Sequence, residues 1–181
     1  PRTRGRDRNS KTKTLRSCIL SGIFAGISRI GRYNARKEFR TGEPSMLLRF
    51  SVQNHLSIKE KQALSLVASS LKDREEGLIA CDSVPGKRVL PAAVIYGANA
   101  SGKTNVIDAL RFMRRLIVSS HSRLEPGEPI PRSPFRLDPA CADAPSVFEL
   151  DFMVAGGRYH YGSEALDDVF HSEWLYAFSS N

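Results

Sequence analysis

Apolar positions recur at two spacings along this chain, and the spacing changes where one kind of element gives way to another. From Lys103 onward, Val106, Ala109, Leu110, Met113, Leu116 and Ile117 stand three or four residues apart, with Asp108, Arg111, Arg114 and Arg115 mostly on the other faces. That period predicts an amphipathic helix with one buried stripe. Further on, Phe148, Leu150, Phe152 and Val154 alternate with Val147, Glu149, Asp151 and Met153. Here the period is two, which predicts a strand with one face inside. Gly156-Gly157 supplies a turn, Arg158-Tyr159-His160-Tyr161-Gly162 returns as the partner strand, and a third strand is expected from Val169 to Phe178.

Ahead of the helix, Met46-Leu47-Leu48-Arg49-Phe50-Ser51-Val52 reads as a first strand. Gln62 to Ala68 alternates as a half-buried antiparallel strand does, and Lys72 to Glu76 is a charged, solvated stretch. Arg88-Val89-Leu90 leads through Pro91 into an apolar run, Ala92-Ala93-Val94-Ile95-Tyr96, expected as another strand. Ser119 to Pro139 is rich in proline and charge and long for a connection inside a compact domain. The pattern is that of an α/β fold carrying an antiparallel β subdomain. Tyr159 and Tyr161 suit cross-strand packing better than stacking on a base, and the arginines of the helix suit a solvated face better than a nucleic-acid contact.

Composition changes this picture at one end only. The 181 residues carry a formal charge of +8, which on its own suggests a nucleic-acid partner. Residues 1–45 hold twelve Lys/Arg and three acids, a balance of +9; the other 136 residues hold fifteen basic and sixteen acidic side chains, a balance of −1. The charge therefore belongs to a basic leader, and net charge supplies no argument that the folded part binds DNA. Pro1 to Lys13 is polar and basic, and is expected to be disordered. Cys18 to Ile27 is apolar but too short to span a bilayer, which takes about 20 apolar residues. Met46 is expected to be the true start, with residues 1–45 as upstream or disordered sequence and residues 46–181 as the folded part. Three cysteines (Cys18, Cys81, Cys141) stand far apart and suit a reducing cytoplasm, and four histidines (His55, His121, His160, His171) lack metal-ligand spacing.

One stretch names a chemistry. Gly97-Ala98-Asn99-Ala100-Ser101-Gly102-Lys103-Thr104 fits G-x-x-x-x-G-K-[ST], placed after an apolar run and before an amphipathic helix. A chance match in a chain of this length is expected about once in a hundred sequences or less often. Gly97 and Gly102 let the backbone curl so that successive N–H groups turn inward on an anion. The first turn of the helix adds unpaired amides and the positive end of its dipole. In this reading Lys103 reaches the β- and γ-phosphates as the catalytic cation, and Thr104 holds Mg²⁺. Residues 97–104, with Asn105 after them, are the expected contacts to ATP.

The order of these segments resembles the N-terminal part of bacterial AAA-type ATPases of the OLD-like (overcoming lysogenization defect) group, relatives of the RecF and chromosome-maintenance ATPases with an ABC-class head. The residues that carry the resemblance run from Met46 through Asn54-His55-Leu56-Ser57, the Ala63–Ser69 strand and Ile95 to Asn105. Pro134-Phe135-Arg136-Leu137, Arg158 to Gly162 and Glu173-Trp174-Leu175-Tyr176 extend it. Asn99 and Asn105 are more particular than the bare loop. The resemblance implies the N-terminal lobe of a P-loop NTPase that closes around ATP, often as a homodimer, with the first strand and the Asn54–Ser57 turn near the nucleotide. DNA stays open as a partner, and no membrane is implied.

Such heads also use an apolar strand ending in Asp-Glu and an LSGG-like loop, and neither is recognisable in this sequence. Asp167-Asp168 is the nearest acidic pair, but Glu164-Ala165-Leu166 before it is no apolar strand. The expectation is therefore an incomplete lobe, the N-terminal part of a longer ATPase, able to bind nucleotide and lacking parts needed for hydrolysis. Two other readings compete with it. One is a non-enzymatic nucleotide-sensing or DNA-associated module. The other is a small P-loop kinase, against which the antiparallel hairpins after the helix argue.

Overall fold

The computed structural model describes residues 45–69, 76–82, 84, 86, 88–119, 129–154 and 156–178. The basic leader, Cys18, His121 and much of the proline-rich connection lie outside them. The described chain runs β1 (Met46–Gln53), β2 (Gln62–Ser65), β3 (Ile79–Ala80), β4 (Arg88–Val89), α1 (Lys103–Ser119), α2 (Ala140–Asp143), β5 (Ser146–Val154), β6 (Gly157–Ala165) and β7 (Phe170–Phe178). Five strands form an antiparallel sheet in the order β2-β1-β5-β6-β7, and β3 pairs with β4 as a separate ribbon.

The two periods read from the sequence meet at the core. Phe148, Leu150 and Phe152 of β5 are fully buried, and Val154 nearly so, as the alternation requires. They join Phe50 and Val52 of β1 and Tyr161 and Ala165 of β6 on one face of the sheet, against Ala109, Phe112, Met113 and Leu116 of α1. Burying one such side chain stabilises by roughly 1.5–3 kcal/mol, so this helix–sheet layer dominates the fold. Phe112, outside the predicted stripe, is as buried as its neighbours and packs its ring on Phe148 at 5.2 Å.

The opposite face is polar in the middle. Ser51 Oγ donates to Glu149 (2.6 Å), Lys61 pairs with the same carboxylate, and His160 lies 3.1 Å from Asp151. Burial pushes the Glu149 carboxyl up, and its bonds to Lys61 and Ser51 more than offset this, holding it below the usual range. At the Met46 end the face is apolar again. A bulge between Leu47 and Arg49 admits Leu48 as an extra residue on β1. Leu48 and Met153 pack there with Cys81, Val84 and Val89. Met153, predicted on the polar side of β5, is buried because the β3–β4 ribbon covers that corner.

Three boundaries differ from the pattern. The β5–β6 turn falls one residue earlier than Gly156-Gly157: Val154 pairs with Gly157, and Gly156 takes φ +73°. The run Gln62–Ala68 stays with β1 through Ser65 and one further bond, Leu66 N–H to Leu48 O (2.8 Å), after which Val67 bridges to Val89. The apolar segment 92–96 is no strand, because no described strand lies beside it to complete a ladder. Val94 and Tyr96 are consequently 71% and 87% exposed.

Tyr159 and Tyr161 both serve packing, as expected. Tyr159 stacks on Phe152 at 5.6 Å, and the Tyr161 hydroxyl donates to Glu173 (2.6 Å). Trp174 of β7 lies over Gly162 of β6, so closely that a Cβ there would collide with the indole. Gly162→Val is expected to expel the ring and cost about 1–3 kcal/mol. Trp174 is the only tryptophan in the chain, so thermal denaturation followed by its fluorescence reads both effects. An unchanged midpoint and emission maximum would show that Gly162 is not there to admit the ring.

Candidate functional site

The glycine-rich loop closes onto the start of α1, and its shape is set by three residues. Ala100 takes φ +60° and Gly102 φ +86°, two left-handed residues separated by Ser101. For alanine that conformation costs roughly 1–2 kcal/mol, and it curls the main chain back toward the helix. Gly97 and Gly102 leave no room for side chains: a Cβ would stand 2.8 Å from Ser101 Oγ at the first and from Ser57 Oγ at the second. Ser101 N–H closes the turn on Ala98 O (3.3 Å), and Asn105 N–H bonds back to Gly102 O (3.0 Å).

Lys103 folds over this loop. Its ammonium donates to Gly97 O at 2.7 Å and Ala98 O at 2.5 Å, with Ser101 Oγ at 3.5 Å. The cation is thus held at the mouth of the loop by neutral acceptors, at the positive end of α1. Thr104 is exposed in the first helical turn, and Asn105 Nδ2 donates to Ser57 Oγ (2.6 Å). No acidic residue occupies that turn. A loop with a cation at its mouth and a helix start that carries no acidic residue favours an anion.

The loop opens onto a cleft of about 570 Å³, within the range of small-molecule sites. One wall is Ser101, Gly102 and Lys103; another is Ser57 to Glu60 with Gln62 of β2; Ile95 and Tyr96 complete it. Lys59 on that wall is engaged by Asp138 at 2.9 Å, a bond that raises the lysine and lowers the carboxyl from their ordinary values. The exposed segment that fails to form a strand is therefore one side of the cleft.

The Asn54–Ser57 turn divides between two tasks. Ser57 reaches the loop through Asn105 and lies against Gly102. Asn54 is bound elsewhere: its Nδ2 donates to Cys141 O (2.8 Å) and Ala144 O (2.9 Å), and its Oδ1 accepts from Phe135 N–H (2.9 Å). Asp167 is likewise no partner of the loop. It sits in the β6–β7 connection, with its carboxylate 2.6 Å from Arg132 Nε. The Arg132 side chain is 1% exposed, and its remaining nitrogens donate to Ala142 O and Ala144 O. The resemblance puts the whole Asn54–Ser57 turn near the nucleotide; of that turn Ser57 lies against the loop and Asn54 does not, and spacing gives no sign that Ile95 and Tyr96 line the cleft.

Residues 92–181 match the family described as "AAA domain, putative AbiEii toxin, Type IV TA system". The match supports an AAA-type P-loop ATPase. It takes in the cleft segment 92–96, the loop, α1, α2 and β5–β7, while β1–β4 precede it. An AAA-type domain accounts for a glycine loop and lysine at the head of a helix, and it implies nucleotide binding of the ATPase type. No curated protein matches the chain significantly. Among the described residues no helix is long and apolar enough to cross a membrane.

Proposed function

We propose that this chain binds ATP with Mg²⁺ at residues 97–105 and forms part of an ATPase, an ABC-class head of the OLD-like kind. The observation that carries the proposal is the Lys103 ammonium, held on the Gly97 and Ala98 carbonyls at the mouth of the loop and at the head of α1. Neutral carbonyls are weak holders of a cation beside phosphate oxygens, so Lys103 exchanges them readily for charge-assisted bonds. The main-chain amides of Asn99, Ala100, Gly102, Lys103 and Thr104 would hold the phosphates, Gly97 and Gly102 keep the approach clear of side chains, and Lys103 would reach the β- and γ-phosphates. Thr104 supplies the hydroxyl that holds Mg²⁺, and that ion would neutralise charge between the two phosphates. Asn105, fixed by Ser57, couples the loop to the β1–β2 wall of the cleft.

Hydrolysis needs a carboxylate and a water-positioning group beside these parts, and the resemblance to ABC-class heads supplies them from a strand ending in Asp-Glu and from a second head. Closure of two heads around ATP, as a homodimer, is part of the same proposal, as is a cytoplasmic setting, which the free, buried Cys81 and Cys141 suit. Steady turnover separates an ATPase from a nucleotide sensor.

The test is equilibrium titration of the full chain with ATP, with and without Mg²⁺. Mg²⁺ is expected to tighten wild-type binding by roughly tenfold, about 1.4 kcal/mol. Thr104→Val is expected to keep the metal-free affinity and lose that increment. No binding at millimolar ATP, or an undiminished Mg²⁺ effect in Thr104→Val, would overturn the proposal.

A further inference from the structure

The β1–β2 turn sends two polar side chains to the cleft beside the glycine-rich loop, and they are held differently. Ser57 is fixed against the loop: its Oγ accepts from Asn105 Nδ2 (2.6 Å) and lies 2.8 Å from where a Gly102 Cβ would stand. Lys59, two residues further on, lines the same cleft but bonds to Asp138 at 2.9 Å. Its main chain is pinned. Asn54 N–H donates to Lys59 O (3.1 Å), His55 and Ile58 exchange two main-chain bonds of 2.9 Å, and the Ile58 side chain is buried in the core. With about 3.8 Å between consecutive Cα atoms, Lys59 Cα stands no more than about 7.6 Å from that of Ser57. Rotation of a flexible four-carbon stem is enough to carry an ammonium over that range.

The ion pair that holds Lys59 is easily exchanged. Its two side chains are 45% and 33% exposed, and pairs as open as this add little stability. Nor does Asp138 depend on the lysine. Its Oδ1 accepts from Ala140 N–H (3.0 Å) at the start of α2, while Lys59 bonds to Oδ2. A carboxylate left by Lys59 therefore stays hydrogen-bonded and open to water. A nucleotide entering the cleft offers more negative charge than one carboxylate does, and the lysine transfers to it without main-chain movement. Glu60 lines the cleft beside Lys59 and is exposed. Its charge disfavours an anion at this wall, and a cation released from Asp138 offsets it.

We propose that Lys59 is a second phosphate-binding cation of the nucleotide site, and that its bond to Asp138 is a brake on binding which the entering nucleotide breaks. The inference rests on the reading of residues 97–105 as an ATP site. Lys103 acts from the loop and Lys59 from the β1–β2 wall, so ammonium groups of two elements meet the phosphate chain. The nucleotide and Asp138 then compete for one cation. The two partners consequently act with opposite sign: the lysine favours binding, and the carboxylate opposes it. An ion pair that serves only to clamp the turn to the segment before α2 predicts the same sign for both, because either substitution opens the clamp.

The test is calorimetric titration of the full chain with ATP and with ADP. Lys59→Met is expected to raise the ATP dissociation constant about tenfold, one charge-assisted bond to phosphate less the exposed pair it replaces. Asp138→Asn keeps an acceptor for Ala140 N–H and frees the lysine. It is expected to lower the dissociation constant about two- to fivefold. In the double variant that gain is expected to vanish, leaving the affinity of Lys59→Met. Equal changes with ADP place Lys59 on a phosphate that both nucleotides carry, and a change with ATP alone places it on the γ-phosphate. Both outcomes support the inference. Circular dichroism and thermal midpoints close to wild type are expected to show that all three variants fold. Failure of the wild-type chain to bind ATP would overturn the reading of the loop and this inference with it. Wild-type binding combined with any of three results overturns this inference alone: unchanged affinity in Lys59→Met, no tightening in Asp138→Asn, or a gain that survives loss of the lysine.

Discussion

Lys103→Ala is expected to raise the ATP dissociation constant of the full chain on the order of a hundredfold or more, which at ordinary concentrations means no measurable binding. The ammonium is the one side-chain cation that the loop holds at its mouth, through Gly97 O and Ala98 O. Replacing those carbonyls with phosphate oxygens gives two charge-assisted hydrogen bonds, each worth about 1.5–3 kcal/mol. Their loss amounts to roughly 3–6 kcal/mol, or about two to four powers of ten in affinity. The fold has no stake in the residue. Lys103 bonds only to the exposed loop, and the α1 stripe begins beyond it at Val106. Circular dichroism and thermal midpoint are therefore expected to stay at wild-type values while calorimetric ATP binding disappears. Lys103→Arg separates charge from shape, because a planar fork does not reproduce a compact ammonium between two carbonyls. It is expected to recover only part of the affinity. Unchanged ATP affinity in Lys103→Ala would count decisively against a nucleotide site at residues 97–105.

What the sequence made legible was local. The loop is read from eight adjacent residues, and its glycines are where the backbone needs them. The buried faces of β5 and α1 are read from periods of two and of three to four, because burial on one side imposes those periods. Pairing is a different matter. The run from Ala92 to Tyr96 is apolar enough for a strand, but apolar character records a demand for burial and not the presence of a neighbour. Met153 shows the converse: its position in the alternation is polar, and a ribbon from residues 79–89 buries it. Phe112 escapes the predicted stripe because Arg111, Arg114 and Arg115 around it make that face look solvated.

The contacts that tie Asn105 to the β1–β2 turn and Arg132 to the β6–β7 connection are long-range, and periodicity shows neither pairing. Ser57 and Asn105 are 48 positions apart, and Arg132 and Asp167 are 35 apart. Each is an ordinary polar residue in a segment without periodicity. Nothing in the neighbouring sequence marks Asn54 as different from any other turn asparagine. The short helix α2, four residues long, is below the length at which a hydrophobic period can be recognised.

Asn54→Ala is expected to destabilise the domain by about 3 kcal/mol or more. Asn54 is 3% exposed at the end of β1, with φ +53°, a conformation asparagine tolerates better than alanine. Its amide fastens three segments at once. Phe135 N–H donates to Oδ1, while Nδ2 donates to Cys141 O and Ala144 O, with Pro145 O at 3.3 Å. The Asn54 carbonyl accepts from Ser146 Oγ (2.6 Å), the first residue of β5. Truncation leaves a buried N–H and at least one carbonyl without partners, each costing about 1–3 kcal/mol. The left-handed backbone adds roughly 1 kcal/mol for alanine. Asn54→Asp is the sharper variant, since it keeps the acceptor for Phe135 but sets a carboxylate oxygen against the carbonyls of Cys141 and Ala144. It is expected to cost at least as much as alanine at neutral pH, although it is closer in shape. Urea denaturation of the full chain, read through Trp174, measures both. A midpoint for either variant within experimental error of wild type would show that the turn holds without this amide. The consequence for the loop is indirect but definite. The same turn carries Ser57, so loosening Asn54 is expected to weaken ATP binding only a fewfold, well short of the loss in Lys103→Ala. The order of the two effects, stability first for Asn54 and affinity first for Lys103, distinguishes a residue that positions the site from one that fills it.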